Sequence, residues 1–466
     1  MQGLFLVEPV VGFYAFANFL AFPLLQQYVY RRLWQQVTNT SYPTGNDNTS
    51  ACNPNSTNVT NHHEDVQKAA SLFSLYNELF SIIPSLLVTL VLVSYSDYRG
   101  RKISILLPVI GSLIASVTYL CVSYFSLSLY LLIVSNFVSS LFGGFGTFLG
   151  GCFSYVADIC DDSKKKMLRM SSMDMVLGLL SGVASVSTGY FLRSTGFNWP
   201  FFASSVFHCI NILYIIFILE ETVKNPYSNI QNGPTHKPLK KVVYGIYLLF
   251  ASSSRKRSIL LVLMILSFTF FIIANLGGVS IFILYELNVP LCWNEVLIGY
   301  GSALSTIVFL TSFAGVYCLS YCFSEAAIVF IGLLSFMAGM IMTAFAKTTL
   351  LMFLVRLPML FAFMPAPVLR AMMSKIVSKS EQGALFACVA FLESLSASAT
   401  FAVFNSIYAA TVAWFSGFSF LVAGGLCVIP MILMGLLMYF LIYIFILLIM
   451  RGLVLRSKTS FTEMPQ

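Results

Sequence analysis

Twelve apolar runs set the terms for this chain. They lie near residues 4–26, 70–94, 103–123, 128–157, 168–192, 199–219, 259–286, 296–320, 324–346, 349–370, 383–410 and 416–450. A helix rising 1.5 Å per residue needs about 20 apolar residues to cross roughly 30 Å of hydrocarbon, so each run is long enough to span a bilayer once. Composition agrees: 58% of the 466 residues are hydrophobic and 9% are charged, against roughly 25% charged in a soluble domain. The 43 Phe and 23 Tyr suit lipid-facing helices and interfacial belts. This excludes a cytosolic enzyme, a nucleic-acid binder and a disordered scaffold. The expectation is an all-α membrane protein.

Basic residues orient the spans. With the N-terminus placed in the cytoplasm, loops 2–3, 4–5, 6–7, 10–11 and the C-tail hold twenty Lys and Arg. The opposite loops hold five: Arg31, Arg32, Lys68, Arg193 and Lys347. Both termini are therefore expected to be cytoplasmic. Loop 1–2 adds four glycosylation sequons, at Asn39, Asn48, Asn55 and Asn58, on the side expected to be lumenal or extracellular. Glu8 and Pro9 interrupt the first run, which reads as a retained helix rather than a cleaved leader. Of ten cysteines, only Cys52 and Cys292 fall in outer loops. They are either a disulfide or two unpaired thiols; the other eight read as packing residues.

Six spans, a polar stretch and six further spans give a two-bundle layout. The divisions are 1–221 for the first bundle, 222–257 for the linker, 258–450 for the second bundle and 451–466 for the tail. Within the linker, Val242 to Phe250 is amphipathic and flanked by Lys240, Lys241, Arg255, Lys256 and Arg257. It reads either as a segment lying on an anionic leaflet or as a solvated connection.

Loop 2–3 reads Asp97-Tyr98-Arg99-Gly100-Arg101-Lys102. This D-x-x-G-R-K core resembles the signature of the major facilitator superfamily, although Val93 stands where that signature has Gly and loop 8–9 has no basic counterpart. The resemblance implies twelve transmembrane helices in two six-helix bundles. It also implies a gate in which Asp97 caps a helix end and Arg101 pairs across it; the plain alternative is positive-inside loop charge. Longer segments resemble solute carrier family 46, the proton-coupled folate transporter family. They include Leu284 to Leu287, Pro290 to Trp293, Ile298 to Ala303, Pro367 to Arg370, Glu381 to Ala387 and Phe404 to Ser406. Gln27 to Arg32 and Phe391 to Glu393 resemble most the third, lysosomal branch of that family.

A charge inside the bilayer costs several kcal/mol and normally faces a cavity or a partner. Candidates on that ground are Glu78, Asp174, Arg356, Arg370, Glu393 and Glu8. The family resemblance assigns Asp174 to proton coupling, and intramembrane charge adds Glu393 or Glu78 as a second acid; Asp174 could instead cap the start of span 5. It assigns Arg370 to the substrate and proton pathway. Asp158 matches a family acid at the end of span 4, or is a helix-end charge beside Asp161 and Asp162. Arg356, Arg370, Glu393, Tyr300 and Asn275 are expected around the substrate cavity; Arg356 could snorkel to the interface and Tyr300 could be packing. The folate carrier's mid-span acid corresponds to Gly144 here, and its span-7 histidine to Asn275. These departures put folate in doubt and leave carboxylates to sense pH. A carboxylate in water titrates near pH 4, and desolvation in a closed cavity moves such a group toward neutral pH. His208, the one histidine within a span, reads as packed and satisfied.

No G-x-x-x-x-G-K-[ST] sequence, catalytic triad or metal set is present, so no enzyme, ATP-driven pump, cofactor or metal is expected. The leading expectation is a proton-coupled secondary transporter that exports small organic solutes from lysosome to cytosol by alternating access. Steroid conjugates, muropeptide-like fragments and amphipathic drug catabolites are the cargo that the resemblance implies. Its partners would be the solute, protons and the lipid bilayer; oligomeric partners stay open. The alternatives are a plasma-membrane organic-anion or folate-like carrier and a non-transporting receptor of the same fold. Tyr227 to Ile230 fits a short tyrosine-based sorting pattern.

Overall fold

In the computed structural model, residues 6–38, 60–222, 255–287, 291, 293 and 295–439 are described. Ten helices among them are long and apolar enough to cross a membrane. The other two of the twelve expected spans, 8 and 10, are present in less regular form. Span 8 is the helix Glu295–Leu319, whose apolar part is the shorter stretch Ala303–Leu319. Span 10 is broken into Thr349–Leu354 and Pro365–Ile376. Several helices outrun the apolar stretch that marks them: span 1 is Glu8–Thr38 and span 2 is Thr60–Arg99. The polar turns beyond the hydrocarbon continue the same backbone ladder, which hydrophobicity alone does not report.

The sequence expected span 4 to be continuous, and the structure corrects this. It divides into Tyr130–Ser140 and Phe145–Ile159. Gly143 sits at φ +94°, a conformation other residues rarely adopt. A Cβ on Gly144 would lie 2.4 Å from Ser85 Oγ. Span 2 therefore closes on Gly144 and leaves no room there for a larger side chain.

Span 10 breaks over residues 355–364, and its freed backbone groups are taken up by hydroxyls of spans 8 and 9. Leu360 O accepts from Thr311 Oγ1 (2.8 Å) and Ser312 Oγ (3.1 Å), while Phe361 N–H donates to Ser335 Oγ (3.1 Å). Irregular backbone at membrane depth survives only where such partners exist. Spans 4 and 10 hold corresponding places in the two halves. Paired interruptions of this kind are a sequence-level pointer to a midplane site.

In the first bundle, span 1 packs on spans 5 and 6, and span 3 on spans 4 and 6. The second is built around span 7, which meets spans 10, 11 and 12. Between the bundles, span 2 lies on span 11, span 5 on span 8, and the second half of span 4 on span 11. Lipid supplies no hydrophobic drive between helices, so close approach depends on small residues. Here Gly146 and Gly150 face Ser394 and Ala390, while Gly178 and Gly182 face Phe309 and Thr306.

Candidate functional site

Where the two bundles meet, one arginine joins three spans. Arg370 comes from the second half-helix of span 10 and is 3% exposed. Its Nη1 donates to Asp174 Oδ2 of span 5 at 3.0 Å and to Oδ1 at 3.3 Å. Its Nη2 donates to Glu393 Oε2 and Oε1 of span 11 at 2.9 and 3.0 Å. Phe153 and Phe268 stack on the guanidinium, with centroids 4.2 and 5.1 Å from its carbon. The cation is thus flanked by aromatic rings and both terminal nitrogens are committed, whereas Nε is buried without a partner. The Asp174 and Glu393 side chains keep 20% and 25% of their surface exposed. One carboxylate belongs to each bundle, so the cation is held by both at once. Planar bidentate pairing of this sort is what arginine does and lysine cannot.

A second cluster closes the end that carries the basic loops. Arg101 is 1% exposed and pairs with Asp97 at 2.5 Å and Asp158 at 2.7 Å. Asp97 turns its other capacity toward the second bundle, accepting the N–H of Gly383 at 2.8 Å and of Ala384 at 3.2 Å at the start of span 11. A carboxylate on orphan helix N–H groups is favourable both as a cap and against the helix dipole. A Cβ on Gly383 would lie 2.5 Å from both carboxylate oxygens, so glycine is what lets the cap seat. Burial alone would weaken the Arg101 charge, but Asp97 and Asp158 outweigh it and hold its pKa above the ordinary value. Glu221, beyond span 6, accepts the Arg101 and Lys102 N–H groups at 2.7 and 3.2 Å. Further links cross at this end. Asp161 meets Lys379 at 2.6 Å, Ser163 donates to Glu325 at 3.1 Å, and Lys166 donates to Ser374 at 3.1 Å. The hydrogen bond and charge of Lys379 hold the Asp161 carboxyl below the usual range.

Asp174, Arg370 and Glu393 meet, as do Asp97 and Arg101, and Asp158 joins the latter pair. Glu78 does not reach the triad: it is exposed on span 2 and takes part in no ion pair among the described residues. Tyr300 is 60% exposed on span 8, and Asn275 is buried on span 7 with its Nδ2 unpaired. Arg356 faces Glu286 rather than the triad, with Nη2 3.8 Å from Oε1. Glu8, at the start of span 1, is bound by Arg169 at 3.1 Å. His208 is packed as expected, edge-on to Tyr14, but neither ring nitrogen has a partner, which corrects the expectation that it is satisfied. The sequons, Cys52, Cys292, linker residues 223–254 and the tail lie outside the described residues.

Sequence reasoning passed over three participants. Glu286 stood inside a quoted motif, in the last turn of an apolar run, where a charge reads as a span boundary. Glu221 carried no signal beyond its place after span 6. Gly383 was read as part of a family segment, with no hint that a carboxylate needs its missing side chain.

Residues 9–400 match the family model of the Major Facilitator Superfamily. The chain belongs to that superfamily and, within it, to solute carrier family 46. It is 48% identical over 433 residues to the lysosomal proton-coupled steroid conjugate and bile acid symporter SLC46A3 of Gallus gallus, covering 92% of this chain and 93% of that protein. The proton-coupled folate transporter of Rattus norvegicus is 32% identical, covering 92% and 91%. In fold the chain is similar to the human organic anion transporter MFSD10, with a TM-score of 0.68 at 16% identity over 92% of this chain and 99% of that one. The chain is a multi-pass membrane transporter and not an enzyme.

Proposed function

We propose that this chain is a proton-coupled symporter that moves small organic anions out of the lysosome by alternating access. The observation that carries the reading is Arg370 shared between Asp174 and Glu393, one carboxylate from each bundle. While both acids are ionised the cation is neutralised, and an anionic solute has nothing to bind. Adding a proton to Asp174 frees part of the guanidinium for the solute's sulfate or carboxylate. Solute and proton therefore favour the same state, which is the linkage a symporter needs. Losing the proton at cytosolic pH restores the pair and expels the solute. The end with the basic loops is taken as cytoplasmic and is closed by the Asp97 and Arg101 cluster, so access runs from the lumenal end.

The cargo class is an anionic group on an apolar body, as in the steroid conjugates and bile acids for which the relatives are named; amphipathic drug catabolites fit the same description, whereas muropeptide-like fragments share only the anionic group. The Phe153 and Phe268 faces flanking the cation suit such solutes. The test is uptake of a radiolabelled steroid sulfate into vesicles holding the purified chain. An acid pH on the side of the solute should drive accumulation above equilibrium, and collapsing the gradient should abolish it. Flux that ignores the gradient would overturn the reading.

A further inference from the structure

The last turn of span 7 and the break in span 10 hold a second charge pair that the triad does not use. Glu286 is 3% exposed, and its Oε1 lies 3.8 Å from Arg356 Nη2. That distance is outside hydrogen-bond range. The same nitrogen reaches the Gly301 carbonyl of span 8 at 3.5 Å. Phe282, one turn before Glu286, lies under the guanidinium with its centroid 4.8 Å away. Nε and Nη1 are both buried and have no hydrogen-bond partner, which leaves three of an arginine's five N–H donors unused. Arg169, by contrast, reaches its counter-ion Glu8 through two nitrogens, each at 3.1 Å. At Arg356 the counter-ion neutralises without pairing.

A buried guanidinium left short of acceptors is costly, and an oxyanion that meets its planar fork recovers that cost. The weak hold of Glu286 makes it displaceable. Phe282 supplies an apolar platform on one face, so the chemistry favoured is a sulfate or carboxylate attached to a ring system. Arg356 stands at the start of the break in span 10, and Arg370, fourteen residues on, stands in the half-helix beyond it, so Arg356 lies on the side away from the basic loops. We infer that Arg356, over Phe282, is a second anion site, separate from Arg370, at which the anionic group of an amphipathic solute displaces Glu286. This rests on the reading of the chain as an organic-anion carrier.

The experiment is equilibrium binding of a radiolabelled steroid sulfate, and of the unconjugated steroid, to the purified full chain in nanodiscs. Glu286→Gln removes the competing charge and keeps the shape, so steroid sulfate should bind about tenfold tighter. Arg356→Gln should weaken it about tenfold, and Arg356→Lys, which keeps charge without the fork, should fall between. Binding of the unconjugated steroid should not change in any variant. Tightening in Glu286→Gln cannot come from damage to the fold, so that variant decides even if Arg356→Gln is unstable. Equal weakening in Glu286→Gln and Arg356→Gln would make the pair structural and overturn the inference, as would unchanged binding in both. Failure of the coupling reading would show as lost gradient-driven accumulation in Asp174 variants and not as a change in these affinities.

Discussion

Asp97 and Gly383 are 286 residues apart in sequence, yet the Asp97 carboxylate accepts the Gly383 N–H at 2.8 Å and so ties loop 2–3 of the first bundle to span 11 of the second. Opening this end has to break that cap, the neighbouring Ala384 bond and the Asp161–Lys379 link together.

Asp97→Ala leaves the start of span 11 without its cap and Arg101 with one carboxylate, Asp158, beside the Ser96 hydroxyl. Unpaired buried groups cost about 1–3 kcal/mol each, enough to shift the balance of end states roughly tenfold. Turnover should fall by about that factor while solute affinity at the opposite face stays within about twofold. Gly383→Ala should copy the defect, because its methyl would meet the same carboxylate. Transport rates normalised to surface abundance check both; wild-type turnover in Asp97→Ala would remove the gate from the account.

The Asp161–Lys379 link predicts an absence of pH dependence. The folded Asp161 carboxyl titrates below the ordinary range. A depressed acid contributes stability above its unfolded pKa and loses it only as pH falls through the lower folded value. That window lies below about pH 4, beneath both lysosomal and cytosolic pH. Asp161→Asn should therefore leave the shape of the transport-against-pH curve unmoved, and being an exposed pair it should change the rate by less than about threefold.

Gly178 and Gly182 let span 5 close on span 8. A Cβ at Gly178 would lie 2.2 Å from the Phe309 ring, and one at Gly182 2.1 Å from Thr306 Oγ1. Gly178→Ala should lower thermal stability and cut transport severalfold. Adding Phe309→Ala, which removes the obstructing ring, should restore much of both. A double variant no better than the single one would show that the close approach is not the cause.

The coarse architecture was legible because the bilayer imposes length and apolarity on every span, and because intramembrane charge is rare enough to read singly. Asp174, Arg370 and Glu393 stood out on that ground and do meet. What could not be read was pairing. Arg356 and Glu393 carried the same signal, yet one faces Glu286 and the other Arg370. Partner choice depends on helix rotation and on the breaks in spans 4 and 10. Those breaks were hidden because Gly143 and Pro365 lie in sequence as apolar as their surroundings. Glu78 shows the converse: a charge in an apolar run that the fold leaves at the surface.

Arg370→Lys keeps the charge and loses the fork. It cannot offer the solute's oxyanion two parallel N–H donors, so the affinity for steroid sulfate should drop about tenfold. Arg370→Gln should drop it further. Saturation binding measures both, and an Arg370→Lys protein with wild-type affinity would mean that charge alone, not geometry, recognises the solute.

The central claim is that Asp174 carries the coupling proton, and solute exchange set against gradient-driven accumulation tests it most directly. Asp174→Asn cannot ionise, so the protein should behave as though permanently protonated at that position. In vesicles, equal concentrations of labelled and unlabelled solute should still exchange at a rate within about threefold of wild type. Accumulation driven by a pH gradient should vanish. If Asp174→Asn accumulates solute as wild type does, the proton travels elsewhere and the account fails.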